Sequence, residues 1–134
     1  MNIFVNFVFI ALIWLLPHKA LTDSDITQTV CASLRSGDAS QLSTRFAKSI
    51  ELVIDAEKVE FSSVQATHAA LILRSFFRKY PPHNFQFVYS GASDHLRYST
   101  GTYETNGQTF AVYVLIRQTN GQRFAIQALH FRKE

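Results

Sequence analysis

The tetrapeptide Thr-Asn-Gly-Gln occurs twice, at 105–108 and 119–122, each time between strand-forming segments. No other feature constrains the fold as strongly. Asn-Gly between alternating apolar residues signals a two-residue type I′ hairpin, which needs two left-handed central residues. A two-residue turn fixes register, and because side chains alternate along a strand, register fixes faces. With Thr105 opposite Gln108, Tyr103 faces Phe110, Gly101 faces Val112 and Ser99 faces Val114. With Thr119 opposite Gln122, Phe110 faces Phe131, Val112 faces Leu129, Val114 faces Gln127 and Ile116 faces Ala125. One face then carries Tyr103, Phe110, Val112, Val114, Ile116, Leu129 and Phe131, with Arg97, Ser99 and Gln127 among them. It is assigned to the core. The other carries Tyr98, Tyr113, Leu115, Phe124, Ile126 and Ala128, with Thr100, Thr102, Glu104, Arg117 and His130. That face is too apolar for ordinary contact with water. Tyr113, Leu115, Phe124 and Ile126 are therefore expected to meet a partner. A bulge in either strand would exchange the faces locally.

Upstream the period changes. Ala66, Ala69, Ala70, Leu73, Phe76, Phe77 and Tyr80 recur at helical spacing, and Pro81-Pro82 stops the run. Ser62-x-x-Gln65 fits a capping box, so the helix is expected to open at Ser62. Earlier still, Ile26, Val30 and Leu34 form a helical stripe, capped by Asp23 or Ser24 and ended by Gly37. Ala39, Leu42 and Phe46 mark a short second helix. Ile50, Leu52 and Ile54 alternate with Glu51, Val53 and Asp55 as a half-buried strand over 49–55, and 58–61 is placed to pair with it. Helices crowd the first half and strands the second, which is the pattern of an α+β domain over 21–134.

Residues 1–20 stand apart. Thirteen of the fourteen residues from Ile3 to Leu16 are apolar. A membrane-spanning helix needs about 20, so this run reads as a signal peptide, with an N-terminal membrane anchor as the alternative. Export to the periplasm or the medium follows. Cys31 is the sole cysteine, so no disulfide forms within the chain. The net charge of +3 is uneven: residues 65–133 hold eight Lys/Arg against two Asp/Glu. No basic run exceeds two residues, and with export this argues against a nucleic-acid partner.

The segments LRSGDASQLSTRF (34–46), SIELVI (49–54), SFFRKYPPHNF (75–85), YSTGTY (98–103) and NGQRFAIQALHFRKE (120–134), in this order of elements, resemble the nuclear-transport-factor-2-like (cystatin-like) superfamily. More narrowly, they resemble the bacterial secreted family of domains of unknown function numbered 4783. The resemblance implies a cone-shaped, curved antiparallel sheet wrapped around the long helix, with two N-terminal helices. It also implies a pocket inside the cone and dimers formed through the sheet's outer face. It brings no catalytic motif.

The five histidines make no metal-binding spacing, and no nucleophile, phosphate-loop or dinucleotide motif is present. No cofactor is expected. On the inner face, Arg97, Ser99, Tyr103 and Gln127 could hold a small ligand, since Arg and Gln suit a carboxylate or an amide. None is a strong general base at neutral pH. The reading is a non-enzymatic module that binds a small ligand or a partner protein and forms a homodimer through its sheet. A small cone-fold isomerase or hydrolase, and a structural domain with a filled core, are the alternatives.

Overall fold

In the computed structural model, which describes residues 26–119 and 123–134, a helix over 26–36 (α1) ends at Gly37 with φ +70°. Glycine takes that conformation without strain. The Asp38 carboxylate accepts the Gln41 N–H at 2.9 Å and caps α2, Ala39–Ser43. β1 (Phe46–Ile54), a 3-10 turn (Asp55–Glu57) and β2 (Val59–Gln65) form a hairpin. The long helix α3 spans Ala66–Lys79, and β3 (Asn84–Ser93), β4 (Leu96–Thr105), β5 (Gln108–Gln118) and β6 (Phe124–Lys133) follow. The apolar segment, its cleavage position and the cap expected at Asp23 or Ser24 lie outside the described residues. Among those described, no helix is long and apolar enough to cross a membrane.

The six strands form one sheet in the order β2-β1-β6-β5-β4-β3. All neighbours are antiparallel except β1 and β6. Parallel neighbours need a long crossover, and here α3 and the four strands β2 to β5 supply it. The fold is α+β, with register breaks in β1, β3 and β6 that bend the sheet.

The helix packs on the inner face through Ala69, Leu73, Phe76 and Phe77. Phe76 is the centre of the core. Its ring lies 4.6 Å from Phe131, 5.3 Å from Phe110 and 5.8 Å from Tyr103. Ile50, Leu52 and Ile54 of β1 and Val112, Val114 and Ile116 of β5 complete the layer, all buried. Gly101 is needed for space: a Cβ there would stand 2.6 Å from the Gln86 carbonyl oxygen and 2.7 Å from the Phe85 ring.

Four local expectations are corrected. Phe46, expected on the second helix with Ala39 and Leu42, opens β1 instead, where it pairs with Ile126. The helix opens at Ala66, not Ser62, and Gln65 at its N-cap makes no side-chain capping bond. Val64 is buried and pairs with Ile50, so ladder bonds and burial hold 62–65 in β2 against the capping-box signal. The β4–β5 register is as read, from Thr105 opposite Gln108 to Leu96 opposite Arg117. Its turn differs from type I′, since only Gly107 is left-handed, with φ +68°. At the other turn, Asn120, Gly121 and Gln122 lie outside the described residues. Thr119 faces Arg123, not Gln122: its N–H donates to the Arg123 oxygen at 2.7 Å.

That one-residue offset changes faces. Gln118 pairs with Phe124 and Ile116 with Ile126, so Phe124 and Ile126 point inward with the core. Ile126 is fully buried, and Phe124 packs against the core's edge. Gln127 is then left over as a bulge, because Leu115 already pairs with Ala128. Beyond it the offset from the expected register is two residues, which preserves faces. Val114 meets Leu129 and Val112 meets Phe131, all on the core side.

Candidate binding surface on the sheet

The inner-face candidates do not converge. Tyr103 is fully buried among Phe76, Phe77, Phe110 and Phe131, and its hydroxyl donates to the Tyr80 carbonyl. Burial pushes its phenol well above the ordinary tyrosine range. Ser99 is buried, and its hydroxyl meets that of Ser90 at 2.9 Å. Arg97 lies with its guanidinium 4.7 Å from the centre of the Phe124 ring. Gln127 is carried to the opposite face by the bulge, where it borders a depression with Tyr113 and Ala128. Arg97, Ser99 and Tyr103 thus stand on the expected face but face rings and hydroxyls, not one another.

The outer face has the more open geometry. Three irregularities fall around Glu51. β1 parts from β6 between Phe46 and Glu51, Ser62 and Ser63 of β2 stand opposite Glu51 alone, and β6 bulges at Gln127. Bulges re-aim side chains and open the ladder. Two depressions result, of ≈ 370 and ≈ 490 Å³, both bordered by Glu51, Ser62 and His130. The first extends over Val53 toward Glu60 and Arg132. The second extends over Ala128 toward Tyr113, Leu115 and Gln127.

At their junction Glu51 Oε2 lies 2.5 Å from His130 Nε2, joining β1 to β6. A carboxylate oxygen only accepts, so Nε2 carries the hydrogen. Tyr113 is paired with His130 across β5 and β6, and their rings pack at 5.2 Å. The His130 side chain is 16% exposed and that of Glu51 45%. Nothing in the sequence joined these two residues, which are 79 positions apart. Strand alternation gave His130 its face but not its neighbour. Among the described residues, no group of three or more His, Cys, Asp or Glu is arranged to hold a metal ion.

Tyr113 and Leu115, two of the four interface candidates, keep their outer positions and are half-buried. They form a shallow apolar surface beside the Glu51–His130 pair. Such a surface can pack against another apolar face, and its polar border can fix orientation.

Solved structures with the same architecture include a DUF4783 family protein from Bacteroides ovatus. It is 20% identical, with 79% of this chain and 93% of that one covered, at a TM-score of 0.72. An NTF-2 like protein of unknown function from Silicibacter pomeroyi is 10% identical, over 87% of this chain and 97% of that one, at 0.62. A domain of unknown function with a cystatin-like fold from Nostoc punctiforme is 8% identical, over 90% and 78%, at 0.64. These likenesses establish the nuclear-transport-factor-2-like, cystatin-like fold. No curated protein matches the chain. Residues 27–132 match the family model described as Domain of unknown function (DUF4783), and the chain belongs to that family.

Proposed function

We propose that this chain is an exported, non-enzymatic binding module that forms a homodimer through the outer face of its sheet. The observation that carries this reading is the set of half-buried Tyr98, Tyr113 and Leu115 on the face opposite the helices. α3 and the core side chains cover only the inner face. A stable interface takes about 800 Å² from each partner, the scale of a sheet face of this width. The inner face argues against catalysis, since Tyr103 is enclosed by rings while Arg97 and Ser99 are engaged with Phe124 and Ser90. Export rests on the apolar segment from Ile3 to Leu16.

Light scattering coupled to size exclusion tests the assembly. A dimer at micromolar concentration is expected, with Leu115→Glu giving a folded monomer. A wild-type monomer overturns the reading. The mass of the chain recovered from its native compartment tests export, with loss of residues 1–20 expected.

A second reading has one observation in its favour. The ≈ 490 Å³ depression gathers Glu51, Gln127, His130 and Tyr113 above the small Ala128, which suits a small polar ligand. Native mass spectrometry separates the two, since retained ligand and dimer mass are read in one spectrum.

A further inference from the structure

The β4–β5 turn lies away from the outer-face cluster and carries chemistry of its own. Asn106 precedes Gly107, which has φ +68° and open space within 4 Å of where a Cβ would stand. His83 follows Pro81-Pro82, and its backbone N–H donates to the Glu104 oxygen at 2.8 Å, which anchors it beside the turn. The His83 Nε2 lies 2.6 Å from Asn106 Oδ1. An amide oxygen only accepts, so this nitrogen carries its hydrogen and points it at the Asn106 carbonyl. All three residues are exposed.

We infer that Asn106 is a site of spontaneous modification, where His83 promotes deamidation to aspartate and isoaspartate. The Gly107 backbone nitrogen attacks Cγ of Asn106 and gives its proton to solvent. A C–N bond closes a five-membered ring, and negative charge develops on Oδ1. The His83 N–H already donates to that oxygen, so it stabilises the charge as it forms. The bond from Cγ to the amide nitrogen then breaks, and the nitrogen leaves as ammonia with a proton from water. Water adds to either carbonyl of the cyclic imide. One opening gives aspartate, and the other gives isoaspartate. No oxidant or reductant takes part, and water is the sole co-reactant. The missing side chain at Gly107 matters because a Cβ would obstruct the attacking nitrogen. Isoaspartate adds a methylene to the main chain and so lengthens a two-residue turn whose register depends on its length.

The test is peptide mapping by mass spectrometry of the folded chain held at neutral pH. The peptide containing Asn106 is expected to gain the mass of NH2 replaced by OH, and to split into two chromatographic isomers. His83→Ala, with its circular dichroism unchanged, is expected to convert several-fold more slowly. His83→Lys, which restores an N–H donor, is expected to recover most of the rate. Asn106→Gln, which closes the ring poorly, is expected to remove the product. No conversion in the folded wild-type chain, over a time in which a free peptide spanning 103–110 converts fully, overturns the site. Equal or faster conversion in folded His83→Ala, or a Lys variant as slow as Ala, overturns the role of His83.

Discussion

Tyr103, near the end of β4, donates its hydroxyl to the carbonyl of Tyr80, the residue that ends the long helix. Thr105 makes a parallel contact, its hydroxyl donating to the Pro81 carbonyl at 2.6 Å. The carbonyls at the end of the helix and just beyond it thus accept hydrogen bonds from β4, and helix and sheet are held in one relative position.

Tyr103→Phe keeps the ring and removes the donor. The Tyr80 carbonyl is left without that partner, and a loss of about 1–2 kcal/mol is expected in urea unfolding. The same variant has a signature at high pH. An unfolded tyrosine ionises near ~10, while burial raises the folded value above that. Above pH ~10 the unfolded chain therefore loses this proton while the folded one keeps it, and stability falls as pH rises. Tyr103→Phe should show a shallower alkaline decline than the wild type.

Phe76→Ala should be the most damaging single truncation in the core. Its ring touches Tyr80, Tyr103, Phe110 and Phe131, which belong to three different elements and a helix cap. A loss of about 3–5 kcal/mol is expected from equilibrium unfolding. Leu71 on the same helix is 62% exposed. Its change to Ala should stay within about 0.5 kcal/mol of wild type.

Gly101→Ala tests close packing without a change of backbone conformation. The new methyl would meet the Gln86 carbonyl oxygen and the Phe85 ring, neither of which is the loose end of a flexible chain. Overpacking of this kind costs about 1–3 kcal/mol. A thermal melt that matches wild type would refute the close approach.

The Glu51–His130 pair should contribute little to stability. Glu51 is nearly half exposed, and water screens the attraction. A double-mutant cycle with Glu51→Gln and His130→Ala is expected to give a coupling below about 1 kcal/mol, smaller at high salt. A much larger coupling would mean that the pair is desolvated in the assembled protein.

How much of this was legible follows the range of each interaction. The stripe through Leu73, Phe76 and Phe77 named the buried side of α3, because helical spacing is a local property. The first hairpin was legible to the residue, since a two-residue turn couples neighbours in sequence. The start of α3 was not. The local capping signal at Ser62 gave way to Val64, which is buried and paired with Ile50, and only the partner strand shows that. The second hairpin failed by one residue at Arg123, which was enough to turn Phe124 and Ile126 inward and release Gln127 outward.

By itself the sequence determined the α+β class, the face of α3, the register of β4 on β5 and the outward placement of Tyr113 and Leu115. Each follows from alternation, helical period or a short turn. Tertiary structure alone decided that β1 lies parallel beside β6, that bulges open the sheet around Glu51, and that Glu51 meets His130. Those outcomes depend on which distant strands share backbone hydrogen bonds. A strand's own residues encode its two faces but not its neighbour.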